Sequence, residues 1–248
     1  MSFLTALLAP AMLNAATSAQ VVAEDPDGGL LIRSGSVSLL ALGDLLKEGD
    51  VIKSNAATVV VSICDGALVT IYPNSEVAVS SLNDSAAVLN LVKGEILGDT
   101  LSGCTVSVTN KAGTTDISNG VYGLLLSESN EGWTLQVRNL DGNVNFTGGN
   151  NLDVSTATAA IVGPGSTVDV PAGDKLTVRG SYDADTNVFK LVTSSVGGMP
   201  DDVADRMGDV GKEMSGRRDM DTPPDAPVGP PDVLELPFDD IETASDKG

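Results

Sequence analysis

The sequence predicts an all-β domain over residues 37–197, and three observations lead to this fold class. Short runs rich in Val, Leu and Ile recur about every 8–12 residues, as strands do in sandwiches, barrels and solenoids. Clusters of Gly, Asn, Asp and Ser separate these runs, which is typical of turns. No stretch of this region has a convincing helical period. In chain order, the predicted strands cover 30–33, 37–42, 45–53, 59–63, 68–72, 76–80, 87–92, 95–97, 105–109, 121–127, 133–139, 143–147, 159–162, 166–170, 176–182 and 188–193.

Glycine and aspartate mark the turns that define this predicted fold. Two Gly-Asp steps lie six residues apart, and an Asp-Gly step joins the apolar runs 59–63 and 68–72. Asp-Gly between apolar runs is a strong hairpin signal, because Gly accepts a positive φ and Asp can bond its own backbone. We expect a structural role, and not a catalytic one, for these turn residues: Gly43, Asp44, Gly49, Asp50, Asp65, Gly66, Gly94 and Gly142.

The composition argues against several classes of function. The net charge is −20, which repels phosphate backbones, so we expect no nucleic-acid partner. The chain has no histidine, which excludes a Ser-His-Asp or Cys-His catalytic site, and it carries no P-loop or dinucleotide fingerprint. Aromatic residues make up only 3% of the chain, which speaks against a carbohydrate-binding module. We therefore expect no enzymatic activity, no cofactor and no metal.

The N-terminus resembles an export signal. Residues 3–13 form a short apolar run, and small residues up to Ala19 offer a cleavage site before Gln20, although no Lys or Arg precedes the run. We expect a signal peptide over residues 1–19 and a linker or first strand over 20–36; the alternative for the first segment is an apolar N-terminal strand or helix. The apolar run is shorter than the ~20 residues of a spanning helix, so we expect an extracytoplasmic protein without a transmembrane span in its mature chain.

The two cysteines, Cys64 and Cys104, allow two interpretations. An exported protein can join such a pair in one disulfide. The period-2 pattern places Cys104 on the core side of its strand, but it places Cys64 on the face opposite Val59, Val61 and Ile63. Two small buried thiols are therefore the alternative.

The composition changes after Gly197. Seven of the 12 prolines lie in residues 200–248, acids outnumber bases there, and apolar residues are too few for a separate core. We expect residues 198–248 to be an acidic, Pro-rich and mostly disordered tail, with a short amphipathic helix over 200–215. The apolar residues of this helix recur at helical spacing, and they either dock a partner or pack on the chain's own domain: Val203, Met207, Val210 and Met214.

Several segments in order resemble the FecR family of bacterial extracytoplasmic domains. Besides the Gly-Asp and Asp-Gly steps, these are the segments at 73–75, 93–95, 112–114, 119–122, 140–144 and 171–174. The resemblance implies an all-β solenoid or sandwich of short strands that recognises another protein. It implies nothing catalytic.

Two functions follow as expectations. The first is a non-catalytic, exported protein-recognition module of the bacterial cell envelope, with a link to envelope signalling through the family. The second is a structural envelope protein that self-associates through its strand edges. The sequence does not name the protein partner.

Overall fold

The computed structural model describes residues 19–24, 28–64, 66–101, 103–129, 132–183 and 188–221. Strands dominate, and one helix follows them. The strands are β1 Ala19–Glu24, β2 Leu30–Arg33, β3 Ser36–Leu39, β4 Leu45–Leu46, β5 Val51–Lys53, β6 Val59–Ile63, β7 Ala67–Ile71, β8 Glu76–Asn83, β9 Ala86–Thr100, β10 Thr105–Asn110, β11 Gly113–Ser129, β12 Gly132–Asn139, β13 Asn143–Gly148, β14 Leu152–Asp153, β15 Thr167–Val170, β16 Asp174–Asp183 and β17 Val188–Gly198. The helix is α1, Asp201–Asp221.

The strands form two sheets, and within the described residues neither sheet closes on itself. Sheet A runs in the order β4, β1, β6, β7, second half of β9, second half of β11, β12, β16, β17, β14. Sheet B runs in the order β3, β2, β5, β8, first half of β9, β10, first half of β11, β13, β15. Neighbours pair antiparallel except for β9 with β10 and β14 with β17. The all-β prediction is thus confirmed as an open two-sheet arrangement.

The hydrophobic core lies between the two sheets. Strand β6 contributes Val59, Val61 and Ile63 from sheet A, and β8 contributes Val77 and Val79 from sheet B. These side chains alternate along their strands, which is the period-2 pattern that the sequence displays. With so few aromatics, branched aliphatic residues fill most of this core.

Strand β9 passes from sheet B to sheet A at Gly94. Its residues up to Lys93 pair with β8, and those from Gly94 onward pair with β11. Gly94 has φ +93°, and a Cβ there would lie 2.5 Å from the Cα of Ser75. The buried Ser75 hydroxyl accepts the Glu95 N–H (2.8 Å) and donates to the Glu95 carbonyl (3.1 Å). The positive φ that Gly94 permits and the two hydrogen bonds between the Ser75 hydroxyl and the Glu95 backbone together stabilise this corner.

Strand β11 turns the same way at Gly120. Residues up to Asn119 pair with β13 in sheet B, and those from Gly120 pair with β9 in sheet A. Gly120 has φ +91°, and a Cβ there would lie 2.6 Å from the carbonyl carbon of Asp141. The Asp141 carboxylate accepts the Val121 N–H at 2.7 Å. Both long strands therefore combine a corner glycine with a side-chain acceptor for the next residue's N–H.

Helix α1 adds a third layer on the outer face of sheet A. The face it covers is apolar, so strand β7 is buried on both sides. Arg206 of the helix donates to Glu95 at 2.7 Å, and the same carboxylate oxygen accepts from the buried Arg138 at 2.7 Å. The side chains that pack in this layer are Val60, Leu68, Leu97, Val121, Met199, Val203, Met207, Val210 and Met214.

The structure corrects several predicted boundaries. The intervals 87–92 and 95–97 belong to one strand, because Gly94 bends β9 without ending it. The interval 159–162 is not a strand: it makes one isolated bridge, Ala159 to Thr193, while the backbone N–H groups of Ile161 and Val162 donate to the Ser194 hydroxyl. The interval 45–53 divides into β4 and β5, β1 begins at Ala19, the last residue of the predicted signal peptide, and α1 extends past residue 215.

Three further expectations concern residues outside the described ranges. They are the signal peptide up to residue 18, the turn residue Asp65, and the tail from residue 222 onward.

The disulfide joins Cys64 to Cys104 across 40 positions of sequence, with the two Cα atoms 5.7 Å apart. Cys64 lies one residue beyond the end of β6 and has φ +44°. The period-2 count fails at this position because the backbone has left the extended conformation and redirects the side chain toward the core. The bond ties the β6–β7 hairpin of sheet A to the start of β10 in sheet B.

The corner at Gly94 yields a stability prediction. Gly94→Ala should lower the free energy of unfolding by roughly 3–5 kcal/mol, because it adds backbone strain and overlap with Ser75. Gly173→Ala is the matched control: its φ is +82°, but nothing lies within 4 Å of an added Cβ, so only about 1–2 kcal/mol should be lost. Urea denaturation measures both, and equal losses would contradict a corner fixed by close packing.

The disulfide yields a second prediction. Reduction should lower the free energy of unfolding by about 2–4 kcal/mol, since the bond closes a long loop in the unfolded chain. Thermal denaturation with and without dithiothreitol measures the effect, and the double variant Cys64→Ser with Cys104→Ser should show no response to the reductant. An unchanged melting temperature of the wild-type protein on reduction would refute this role.

Candidate interaction surface

Two copies of one turn follow strand β3 along the chain, at residues 41–44 and 47–50. In each turn the last N–H donates to the first carbonyl, Asp44 to Ala41 at 3.0 Å and Asp50 to Lys47 at 3.1 Å. Each aspartate carboxylate also accepts the N–H of the first residue at 2.8 Å. The third residue of each turn is a glycine with positive φ: Gly43 (+88°) and Gly49 (+87°). The two Gly-Asp steps therefore fold as identical capped turns.

Asp50 differs from Asp44 because it is buried and carries an ion pair. Its carboxylate accepts from Arg33 Nε at 2.8 Å and from Arg33 Nη2 at 2.6 Å. Arg33 also donates to the Leu45 carbonyl at 2.7 Å. Burial raises the pKa of Asp50, but the hydrogen bonds from Arg33 and Lys47 outweigh it and lower the pKa below its usual value. Arg33 thus joins the β2–β3 hairpin to the 47–50 turn and to strand β4.

Strand β3 is the edge of sheet B and presents large apolar side chains to solvent. Val37 is 61% exposed and Leu39 is 74% exposed. The following turn and β4 add Leu42, which is 70% exposed, and Leu45, which is 49% exposed. We call these four residues the β3 edge surface. Neither Lys nor Pro, which commonly protect edges, occurs in β3.

The backbone of this edge is open on one side. Among the described residues β3 pairs with β2 alone, with Val37 opposite Ile32 and Leu39 opposite Leu30. Leu40 N–H donates to Gly29 O across the same pair of strands, so the antiparallel alternation directs the N–H and C=O groups of Val37 and Leu39 away from β2. An extended chain could add there as a further strand.

An apolar row extends from this edge across the outer face of sheet B. Val37 lies opposite Ile32, Ile32 opposite Val51, and Val51 opposite Ala78. Their neighbours in the strands, such as Leu31 and Ile52, point into the core. The sequence pattern does not reveal this surface, because Ser-Val-Ser-Leu alternates like a half-buried strand although all four residues are exposed.

The remaining predicted turn residues lie far apart in the fold and do not form a site. Gly94 lies at the corner of β9, Gly66 in the β6–β7 turn and Gly142 in the β12–β13 turn. All three have positive φ. Their roles are conformational, because each allows the backbone a positive φ at a turn or corner.

The predicted partner-docking stripe is occupied by the domain itself. Met207 and Met214 are buried against sheet A, and Val203 and Val210 are partly buried in the same cluster. The apolar stripe of the helix packs on the apolar outer face of sheet A, which removes both surfaces from water. In this structure the stripe therefore offers no docking surface to a partner.

Neither a metal site nor a membrane helix is found in the part of the chain that the structure describes. Within these ranges no three His, Cys, Asp or Glu side chains come together in a group that could hold an ion. No described helix combines the length and the apolar character that crossing a membrane requires.

Comparison with protein-family profiles gives no match, and comparison with curated proteins gives none either. Among solved structures, the chain is similar to two crystal structures of a candidate anti-sigma factor from Parabacteroides distasonis ATCC 8503, at 1.65 Å and 2.50 Å resolution. Both have a TM-score of 0.43 at 13% identity, over 60% of this chain and 59% of that one. The chain thus matches less than two thirds of that protein, and a similarity of this size carries no argument about function.

The two matched turns yield a pH-dependent prediction. Asp50→Asn should lower the free energy of unfolding at pH 7 by about 1–3 kcal/mol, because it removes a charged hydrogen-bond acceptor for Arg33. Asp44→Asn, at the same position of the exposed turn, should lower the free energy of unfolding by less than Asp50→Asn does. Since the folded pKa of Asp50 is depressed, its contribution is full above about pH 4 and is lost as the pH falls through the folded value.

Denaturation of the wild-type and both variant proteins from pH 7 down to acid pH tests this. The difference in free energy of unfolding between the wild type and Asp50→Asn should decrease only at the acid end of this pH range. If this difference in free energy of unfolding stays constant at every pH, ionised Asp50 does not stabilise the fold.

Proposed function

We propose that this chain is a non-catalytic, FecR-like protein-recognition module of the bacterial cell envelope, and that it binds an extended segment of a partner protein along strand β3. The observation that carries the proposal is the β3 edge surface. Its open backbone groups lie beside two of the most exposed large apolar side chains, Val37 and Leu39. Strand addition uses such an edge, with backbone hydrogen bonds for affinity and alternate side chains for specificity.

An extracytoplasmic location is part of this proposal. The Cys64–Cys104 disulfide supports it, because structural disulfides persist in oxidising compartments. The strongly acidic composition also suits an exported protein that meets other proteins and not nucleic acid.

Self-association is the second candidate, and the same edge favours it. An exposed apolar edge strand can pair with its own copy across a two-fold axis. The net charge of −20 opposes such pairing, so we rank a partner protein first.

Two substitutions at Leu39 separate strand addition from simple apolar contact. Leu39→Ala removes the side chain, whereas Leu39→Pro also removes the N–H that points to the open edge and leaves the ladder with β2 intact. We expect quantitative capture from native envelope extract to recover a partner with the wild type, less with Leu39→Ala, and at least roughly tenfold less with Leu39→Pro. Val192→Ala, which shortens a 43% exposed valine in β17, is the control.

The readouts distinguish the two candidates. Photocross-linking from position 39 should map to one extended segment of the captured protein. If light scattering instead finds a dimer that Leu39→Pro dissociates, self-association is correct. If Leu39→Pro and Leu39→Ala capture the partner as well as the wild type does, the β3 edge is not the binding surface.

A further inference from the structure

Three of the chain's eight aromatic side chains converge at one end of sheet A, far along the chain from β3. Tyr182 and Phe189 stack with ring centroids 4.9 Å apart and planes tilted by 32°. Trp133 meets Phe189 edge-on, with centroids 6.4 Å apart at 75°. Trp133 is buried, whereas Tyr182 is 49% exposed. The cluster therefore combines the buried indole of Trp133, which forms its base, with the partly exposed ring of Tyr182.

Strand register places the indole of Trp133 in this cluster. Trp133 pairs with Gly180 of β16, and a Cβ at Gly180 would lie 2.6 Å from an indole carbon. Because Gly180 has no side chain, the indole of Trp133 can occupy the space above it. The indole N–H donates to the Ser181 carbonyl at 3.4 Å. Because this donor is already used, Trp133 offers a ligand its ring surface and not a hydrogen bond.

An ion pair closes one side of the same pocket. Lys111 pairs with Glu128, and its ammonium lies 5.8 Å from the Phe189 ring centroid. Burial lowers the pKa of Lys111. Glu128 keeps half of its side chain exposed. The pair adds no net charge, but it offers both donors and acceptors beside the aromatic rings.

The pocket has the size and the mixed chemistry of a small-ligand site. Its volume is about 460 Å³, and Ser129, Gly132 and Ser181 complete its lining. Ligand sites of this size combine aromatic walls with a few placed polar groups. A cationic ligand would meet Lys111, and an anionic ligand would meet Glu128 and a chain of net charge −20. A neutral ligand is therefore favoured.

The low aromatic content argues against a carbohydrate-binding module, but three of the eight aromatic side chains converge here, and we propose that this pocket binds a pyranose ring of a neutral glycan. The apolar face of the sugar stacks on Tyr182 and Phe189, and its hydroxyls accept from Lys111 and donate to Glu128. An apolar peptide side chain fits less well, because it would strip water from the Lys111–Glu128 pair without replacing the lost hydrogen bonds. This site is separate from the β3 edge surface, so each proposal can fail without the other.

Trp133 is the only tryptophan of the chain, so intrinsic fluorescence reports on this pocket directly. The full chain is titrated with cellotetraose, maltotetraose and the N-acetylglucosamine tetrasaccharide at millimolar concentration, and calorimetry runs in parallel. We expect a saturable change with at least one sugar. Tyr182→Ala should weaken binding roughly tenfold. Lys111→Met, which keeps the alkyl stem but loses the ammonium, should also weaken it.

Tyr72→Leu is the control, since Tyr72 lies under helix α1 and should not affect sugar binding. Circular dichroism verifies that each variant is folded, which we expect because Tyr182 is half exposed. Three outcomes overturn the proposal: no sugar binds by either method, Tyr182→Ala binds sugar like the wild type, or N-acetylphenylalaninamide binds through Tyr182 while the sugars do not. The last outcome would make the pocket an anchor for a partner's side chain.

Discussion

The change of direction in two long strands is the constraint on which the rest of the structure depends. Strands β9 and β11 each belong to both sheets, and they change sheet at Gly94 and Gly120. At each corner one continuous strand passes from sheet B to sheet A, so β9 and β11 pair with neighbours in both sheets around the shared core. The shared core lies between the two sheets that these strands join.

Three polar side chains inside the fold hold the backbone at its corners and turns. Ser75 holds the corner of β9, Asp141 that of β11, and Asp50 the turn at residues 47–50. Each satisfies a backbone N–H that has left its ladder, as buried polar groups must. The two surfaces proposed for binding, the β3 edge surface and the aromatic pocket, lie at different strands and present different chemistry.

The outer surfaces of the two sheets differ in whether their apolar side chains are covered. The outer face of sheet A is covered by α1, whose methionines adapt to an uneven surface, and Arg206 bonds to Glu95 at its centre. The outer edge of sheet B has no such cover among the described residues, so Val37 and Leu39 remain in water. That contrast is the physical basis for assigning recognition to β3 and structural packing to the helix.

The sequence by itself determined the strands, most turns and the apolar alternation, since these depend on local backbone preference and on period-2 burial. It marked Gly43, Gly49 and Gly142 as turns, which the structure shows with positive φ. Only the tertiary structure decided that Gly94 is a corner inside one strand, that Cys64 points inward and that the stripe of α1 packs on its own domain. It also decided that β3 is an edge and that Trp133, Tyr182 and Phe189 meet. These outcomes depend on contacts between residues distant in sequence, which neither composition nor periodicity encodes.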